Sequence, residues 1–395
     1  MEEPFSIAAL RRRFAQAYEG GECRVFFAPG RVDLIGGHVD YHGGPVIPVA
    51  IDRGVYVAAA LRPDRRTRLQ SMSFEGRVAC SLDEPASAAD LKWGAYSIGA
   101  LRELDRRHPL HGLDLYLWGT VPAGAGLSSS AALLVATLTA AAILHGLDVG
   151  PLEIARMAHR AETEFVGVRC GIMDQFASAL ARPNTALYLD CKTQEFEPLP
   201  LPGSQISLLV LDSMTRHDLS VGDYNERVRE SMGALSKLKT VMPHLQCLSD
   251  LRAQDFFRHR SLLTEIERRR VRHVVSEVAR VKLAREALKR GDFLAFGDAL
   301  DQSHHSLAHH YHTVNAQLAV LQKAAAQHDE VFGARVTGAG FGGCVLAVVA
   351  KGAEDSVRAG VKAAFEKQFA TTPEVHVLAP GGAPEEIAEA RAGDR

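Results

Sequence analysis

The chain has 395 residues, a length that fits two or three domains with sizeable cores. Its 45 basic and 47 acidic residues nearly balance, and the formal net charge is −2. This balance argues against nucleic acid or an anionic membrane as the main partner. The six cysteines are scattered without a Cys-x-x-Cys pair, which indicates a reducing cytoplasm rather than a secreted disulfide scaffold. We therefore expect a cytoplasmic globular protein, and no obligate protein partner is evident.

The apolar stretches of the sequence predict neither a signal peptide nor a membrane-spanning helix. Residues 1–18 carry arginines where a signal peptide would need its apolar core, so they predict an amphipathic helix. The longest apolar stretch, 131–144, contains two threonines and is too short to span a bilayer. It predicts a buried helix.

A polar, glycine-rich segment lies between two apolar runs near the N-terminus. Residues 24–28 and 45–51 predict short buried strands, and residues 30–44, GRVDLIGGHVDYHGG, predict the loop between them. The loop collects many hydrogen-bonding side chains: Arg31, Asp33, His38, Asp40, Tyr41 and His42. Binding groups gather on loops held by rigid strands. A long turn built on glycine and Asx chemistry is the alternative.

A second glycine-rich segment, VPAGAGLSSSAALL at 121–134, follows a predicted strand at 114–121 and opens a predicted helix at 128–147. A glycine loop at a helix N-terminus offers unpartnered N–H groups and a positive dipole end to a phosphate. Its three serines add donors and oxygen ligands for Mg²⁺. It is not a P-loop, because Gly-x4-Gly-Lys-Ser/Thr is absent. A serine cap after a glycine turn is the alternative.

Two carboxylates stand out further along the chain. A helix is predicted at 152–166. Glu164 is predicted to lie on its solvent-exposed face, whereas the pattern leaves the role of Glu162 undecided. Asp174 lies in the apolar run CGIMDQFAS at 170–178, so it either caps a helix or is buried with a partner.

The domain boundary is placed at a proline-rich stretch. Strands are predicted at 185–190 and 206–212, and Pro198, Pro200 and Pro202 separate them. The predicted domains are residues 1–198 and 199–395.

The C-terminal half is predicted to be mainly helical. Val271, Val274, Val275 and Val278 keep helical spacing, so the arginines around them (268–270 and 272) are predicted to form the opposite, wet face. A nucleic-acid patch there is the disfavoured alternative. Histidines 304, 305, 309, 310 and 312 suggest zinc, but no cysteine or carboxylate completes a site, so a polar helix end is favoured. The last fifteen residues read as a frayed acidic helix and tail.

Residues 336–344, VTGAGFGGC, contain Gly-x-Gly-x-x-Gly, which matches a dinucleotide fingerprint. That fingerprint must precede a helix, whereas residues 345–350 read as a strand. The segment therefore predicts a hairpin turn, and a dinucleotide oxidoreductase is disfavoured.

The four segments GRVDLIGGHVDY, PAGAGLSSSA, CGIMDQFAS and VTGAGFGGC, in this order, resemble the motif set of galactokinases in the GHMP kinase superfamily. The resemblance covers residues 20–380. It implies an α+β, two-domain GHMP kinase-like architecture with the active site in the inter-domain cleft. It also implies transfer of the ATP γ-phosphoryl group to the anomeric hydroxyl of a hexose, with Mg²⁺.

The resemblance assigns roles residue by residue. Asp174 resembles the catalytic aspartate, and Arg31 resembles the arginine paired with it. Ser130 and Glu162 match the magnesium positions. The positions that match sugar contacts are Gly37, His38, Asp40, Gly171 and Tyr224. The phosphate loop matches 122–130, namely Pro122, Gly124, Ala125, Gly126, Leu127, Ser128, Ser129 and Ser130, with Ala123 inside it. The 336–344 turn would support the cleft without carrying chemistry.

The resemblance has one departure, at Gly37, where galactokinases usually have a glutamate that contacts the hydroxyl on the sixth carbon of the sugar. Losing that bond costs about 0.5–1.5 kcal/mol, or up to about 3 if it is charged. The change removes negative charge and opens room, so L-arabinose and galacturonate are alternative sugars, and GRVDLIGG resembles the arabinokinase loop. Tyr224 favours galactose, and His42 is a candidate replacement donor. A silent sugar sensor is a further alternative, disfavoured because Arg31, Asp174 and the serines are all present.

Overall fold

The computed structural model describes residues 3–122, 124–168, 170–215 and 220–388. The strands are β1 (Arg24–Ile35), β2 (Pro45–Leu61), β3 (Arg66–Ser71), β4 (Val78–Ser81), β5 (Leu113–Gly119), β6 (Thr185–Asp190), β7 (Phe196–Pro200), β8 (Ile206–Asp212), β9 (Val331–Thr337), β10 (Cys344–Ala350), β11 (Glu374–Leu378) and β12 (Glu385–Ile387).

The α-helices are α1 (Ile7–Ala17), α2 (Ala88–Leu91), α3 (Ala95–Asp105), α4 (Ser129–Leu144), α5 (Pro151–Arg160), α6 (Met173–Ala179), α7 (Ser220–Lys239), α8 (Ala253–His259), α9 (Glu265–Arg290), α10 (Phe293–Ser306), α11 (Ala316–Ala325) and α12 (Glu354–Glu366). Helix α5 continues into a π-helical turn, Ala161–Val166, and α10 continues into another, Leu307–Tyr311. Within the described ranges, every helix is too short or too polar to cross a membrane.

The larger sheet has the strand order β12-β1-β2-β5-β3-β4, and β6 and β7 extend it from β2. Strand β1 pairs antiparallel with β2, and the register shifts twice, between Pro29 and Arg31 and between Asp33 and Ile35. Bulges re-aim side chains and occur next to active sites. Here they flank Arg31 and Asp33.

The smaller sheet has the antiparallel order β11-β8-β10-β9. Helix α10 packs on β9 and on α9. Helix α9 is well defined by its sequence, because Thr264 and Glu267 form a capping box and Gly291 ends it with a φ of 67°.

Helix α4 lies at the centre of the first domain. Its Ala-rich sequence is apolar all round, as in a helix covered on every side, and residues 131–142 are almost wholly buried. It packs against β1, β2, α3, α5 and α6. The glycine loop is therefore held on a rigid buried helix.

Several predicted elements are confirmed. Strands β6 and β8 have the predicted bounds, and the turn of VTGAGFGGC joins the antiparallel strands β9 and β10. A helix at the N-terminus and one after the serine loop are also confirmed.

Other predictions need correction. The segment 30–44 is not all loop, because β1 runs on through residue 35. Arg270 is buried and ion-paired with Glu230 at 2.7 Å, so it does not belong to a wet face of α9. Residues 385–387 form a strand paired with β1 rather than a frayed helix, and residues 389–395 lie outside the described residues.

The boundary between residues 198 and 199 stays a prediction. It falls inside β7, whose Pro198 and Pro200 are tolerated because β7 pairs on one side only, with β6. The chain also returns to the first sheet near its end, where Pro380 bridges to Ile51.

Candidate active site

Asp174 occupies the first turn of α6 and is held by two partners from distant parts of the chain. Arg31 Nε donates to its Oδ1 and Arg31 Nη2 to its Oδ2, both at 2.7 Å. Ser128 Oγ also donates to Oδ2, at 2.5 Å. Planar guanidinium and carboxylate groups match in this two-bond geometry, which fixes the carboxylate's orientation. The charge that looked anomalous in an apolar run is thus partnered by an arginine.

Arg31 also connects Asp174 to the glycine loop. Its Nη1 donates to the Gly126 carbonyl at 2.8 Å, and its backbone N–H donates to the Leu127 carbonyl at 3.1 Å. The loop can turn this tightly because Gly124 and Gly126 adopt φ values of +73° and +70°. The carboxylate and the loop are therefore positioned as one unit.

Ser128 caps α4 in a left-handed conformation, with a φ of 58°. Its hydroxyl makes no capping bond to the helix, since it donates to Asp174 instead. The first amides of α4 are left to another acceptor, which is the arrangement that binds phosphates at helix N-termini.

The other predicted loop residues differ in exposure. Ala125 and Leu127 are buried, so they support the loop, whereas Gly124, Gly126 and Ser129 are exposed and Pro122 is half-buried. Ala123 lies outside the described residues. The exposed positions leave the loop backbone accessible to a ligand.

A cavity of about 130 Å³ opens beside Asp174, and we call it the Asp174 cavity. All the residues predicted to be catalytic or sugar-binding line it: Arg31, Gly37, His38, Asp40, Gly171, Asp174 and Tyr224. Four separate segments of the chain, 31–41, 170–174, residue 224 and 338–339, therefore converge on one polar cavity next to the glycine loop.

Asp40 lies at the cavity wall against Gly171. A Cβ at residue 171 would collide with the Asp40 carboxylate, so glycine is required for this approach. Burial, with the charges of Asp174 and Asp33, raises the pKa of Asp40 to about 7. The carboxyl is available for directional hydrogen bonds to a hydroxylated ligand.

His38 lines the same cavity, but both its ring nitrogens are used within the protein. Nε2 lies 2.9 Å from the Ala339 carbonyl, so it must donate, and Nδ1 accepts from the Tyr41 hydroxyl at 3.0 Å. Burial lowers the pKa of His38 to about 3. The neutral ring shapes the wall and orients Tyr41, and its direct hydrogen bonding to a sugar stays a prediction.

Tyr224 and His42 differ in their relation to the cavity. The Tyr224 ring, on α7, lies 5.6 Å from the His38 ring and faces the cavity. His42 is fully buried, and its Nε2 lies 3.0 Å from Ser231 Oγ, away from the cavity. The suggestion that His42 replaces the lost hydrogen-bond partner is therefore wrong.

The lack of a side chain at Gly37 does not leave an empty space beside it. A side chain at residue 37 would meet the end of Arg335, a fully buried arginine whose Nη1 donates to Asp33 Oδ2 at 3.1 Å. Arg335 Nε and Nη2 have no hydrogen-bond partner within the described part of the chain. The space that a glutamate would use is thus occupied by a guanidinium, two of whose three nitrogens lack an acceptor among the described residues.

Glu162 and Ser130 lie together near the start of α4. Glu162 is buried, accepts from Gln175 Nε2 at 2.5 Å, and has the Ser130 hydroxyl as a second hydrogen-bond neighbour. Burial raises the pKa of Glu162. Among the described residues no basic group forms an ion pair with it. A cation at this position would relieve the cost of burying the carboxylate.

The 338–343 turn faces the glycine loop across a second cavity, of about 260 Å³. Gly124 and Gly126 line one side of this cavity, and the turn's backbone lines the other.

The histidine cluster at residues 304–312, at and just beyond the end of α10, forms no metal site among the described residues. His305 and His309 stack at 4.1 Å, but the described residues contain no group of three ligands for a metal.

Three family models match parts of this chain. The GHMP kinases N terminal domain matches residues 95–182, the galactokinase galactose-binding signature matches residues 12–61, and the GHMP kinases C terminal domain matches residues 284–367. The galactokinase of Streptococcus mutans is 35% identical over 373 residues, which cover 93% of this chain and 95% of that protein. The chain belongs to the galactokinase family.

Other members of the galactokinase family give the same result. The Roseiflexus galactokinase is 37% identical over 93% of this chain and 94% of its own length. The structure of Lactococcus lactis galactokinase complexed with galactose superposes with a TM-score of 0.90 at 31% identity, covering 96% of this chain and all of that one. Methanococcus jannaschii mevalonate kinase, at 18% identity and a TM-score of 0.67 over 91% of this chain and 99% of its own, shares the fold. The GHMP kinase fold with its N- and C-terminal domains is confirmed.

Sequence reasoning gave no role to several residues around the galactokinase-family site: Gln175, His273, Glu277 and Arg335. Arg335 carried a signal similar to that of Asp174, since it is a charged residue inside the apolar strand β9. His273 and Glu277 were concealed because they share the buried face of α9 with its valines.

Proposed function

We propose that this protein is an ATP-dependent galactokinase, which transfers the γ-phosphoryl group of ATP to the anomeric hydroxyl of D-galactose to give galactose 1-phosphate and ADP. The observation that carries the proposal is the Ser128–Asp174–Arg31 contact. It places one oriented carboxylate between a glycine loop suited to phosphates and a polar cavity suited to a sugar.

Different residues carry out different parts of the phosphoryl transfer. The amides of 124–130 and the start of α4 hold the triphosphate, because helix N-termini attract anions. Asp174 orients the sugar hydroxyl and accepts its proton, while Arg31 holds the carboxylate in place and balances negative charge near the reacting oxygen. Phosphoryl transfer asks a protein mainly for such positioning and charge neutralisation.

Ser130 and Glu162 would hold Mg²⁺. The ion takes one or two protein oxygens and completes its shell with phosphate oxygens and water, and two oxygen groups beside the loop fit that pattern. When bound, it would neutralise phosphate charge. The burial of Glu162 without an ion-pair partner among the described residues supports this assignment.

At the sugar, Asp40 and Tyr224 are proposed to bind hydroxyls, while Gly37, His38 and Gly171 give the wall its shape. Buried polar groups that lose a partner make an enzyme reject the wrong epimer. No disulfide links the cysteines within the described part of the chain, which supports a cytoplasmic location.

A sugar with a carboxylate on its sixth carbon is the second candidate. The observation that favours galacturonate is the pair of unpartnered donors on Arg335 beside Gly37. L-Arabinose lacks the sixth carbon, so it would bring no acceptor to these donors, and this observation does not favour it.

A sugar panel tests the proposal. ADP release is measured with galactose, galacturonate, L-arabinose and N-acetylgalactosamine in ATP and Mg²⁺. We expect turnover with galactose above the others. Turnover of galacturonate alone would replace the substrate and keep the mechanism, whereas galactose binding without ADP release would indicate a sensor.

A further inference from the structure

Two glycines of the Asp174 cavity, Gly36 and Gly37, present backbone rather than side chains to a ligand. Gly36 adopts a φ of +110°, and a Cβ there would lie 2.8 Å from Val46 Cα. This wall has no side chain of its own to anchor it, so its position depends on what holds its amide and carbonyl groups.

Helix α9 supplies those anchors from behind the wall. Glu277 Oε1 accepts from the Gly36 N–H at 3.1 Å, and His273 Nε2 donates to the Gly37 carbonyl at 2.9 Å. His273 and Glu277 lie one helical turn apart, and both are fully buried. Two adjacent residues of the wall are thus attached to one face of α9.

Helix α10 orients both anchors in turn. Ser306 Oγ lies 2.9 Å from His273 Nδ1, and Ser303 Oγ donates to Glu277 Oε1 at 2.6 Å. Because a carbonyl can only accept, Nε2 of His273 carries the proton and Nδ1 accepts from Ser306. Burial lowers the pKa of His273 to about 4, which keeps this neutral tautomer in place.

Glu277 is kept charged in the same network. Burial opposes its ionisation, but the charges of Arg280, whose Nη2 lies 2.8 Å from Oε2, and of Arg335 lower its pKa to about 2. A charged acceptor makes the bond to the Gly36 amide stronger than one between neutral groups.

We propose that His273 and Glu277 are positioning residues that set the affinity of the Asp174 cavity for its sugar by fixing the Gly36–Gly37 backbone. Neither lines the cavity, so they act through the glycines. The inference rests on the proposed sugar kinase function.

The test separates KM from kcat. His273→Leu removes the bond to Gly37 and is expected to raise the galactose KM roughly 5- to 100-fold, since a buried carbonyl loses its donor. The ATP KM and kcat should stay near their wild-type values, because Asp174, Arg31 and the glycine loop are untouched. His273→Gln restores an N–H at the Nε2 position and should recover most of the affinity.

His304→Leu is the matched control, because His304 is another buried neutral histidine, on α10, without a bond to the glycines. It should leave the galactose KM unchanged. An unchanged galactose KM in His273→Leu, or an equal rise in His304→Leu, would overturn the proposal. If His273→Leu does not fold, Ser306→Ala takes its place, because it removes only the hydrogen bond that orients His273. The galactose KM of Ser306→Ala should also rise, and an unchanged galactose KM would overturn the proposal.

Hydrogen–deuterium exchange separates this inference from the function on which it rests. Residues 33–40 should exchange faster in His273→Leu than in the wild type at equal thermal stability, whichever sugar is the substrate. A wild type that phosphorylates no sugar refutes the proposed function, while unchanged exchange in 33–40 refutes the positioning role.

Discussion

The Asp40 carboxylate lies against the Cα of Gly171, with no space between them for a Cβ. Gly171→Ala is therefore expected to displace Asp40. A sugar hydroxyl that loses a charged partner should bind roughly 10- to 100-fold more weakly. Steady-state kinetics should show the loss mainly in the galactose KM, and an unchanged KM would remove Asp40 from the sugar contacts.

Asp174 and Arg31 are expected to affect kcat more than KM. Asp174→Ala should keep sugar binding and lose about 10²–10⁴-fold in kcat, the usual contribution of a general base. Arg31→Ala should also lower kcat more than it raises KM. Titration calorimetry with galactose, alongside initial rates, checks both, and near-normal turnover of Asp174→Ala would dismiss it as the base.

Glu162→Gln tests the metal position. The amide is a weaker Mg²⁺ ligand than a carboxylate, so the Mg²⁺ concentration for half-maximal rate should rise. The melting temperature should stay equal or increase, because the variant removes a buried carboxylate that has no ion-pair partner in the described structure. Glu164→Gln, exposed and two residues away, is the control and should change neither quantity.

The pKa of Asp40, about 7, predicts a pH effect on stability. Between about pH 4 and pH 7 the folded chain binds a proton at Asp40 that the unfolded chain has released, so Asp40 lowers stability as the pH rises. His38 and His42 act oppositely, since their pKa values of about 3 lower stability as the pH falls below about 6.5.

The comparison with Asp40→Asn isolates the aspartate. The melting temperature of Asp40→Asn minus that of the wild type should grow from pH 4 to pH 7 and level off above it. A difference that is flat across this range would show that Asp40 titrates near its ordinary value.

Gly37→Glu and Gly37→Ala separate collision from pairing at Arg335. Alanine collides with the guanidinium and should cost about 1–3 kcal/mol. Glutamate brings an acceptor to the unpartnered Nε and Nη2 and should regain about 1–3 kcal/mol relative to alanine. Chemical denaturation of the two variants measures the difference, and a glutamate variant less stable than the alanine one would contradict the pairing.

Local patterns predicted much of this molecule. Strands β6 and β8 followed from short apolar runs between turn residues, and Asp174 was noticed because a carboxylate in an apolar run needs a partner. The motif order supplied the family and the cavity-lining residues. Each of these features could be predicted because the residues that determine it are close together in the sequence.

Long-range pairings account for what the sequence did not predict. Arg31 and Asp33 look like loop residues, but they extend β1 because their charges meet Asp174 and Arg335, 143 and 302 residues away. Arg270 was assigned to solvent although Glu230, from another helix, allows it to be buried. Both of these errors came from charges whose partners lie far along the chain.

The pairing of β1 with β12 bears on how the protein is made. The strand that presents Arg31 is covered on its outer edge by residues 385–387, and Arg24 forms an ion pair with Glu386 at 2.5 Å. A ribosome must therefore translate past residue 387 before that edge is closed. Until then, the backbone groups of residues 25–27 remain open to other nascent chains, so this edge is where a stalled translation product would aggregate.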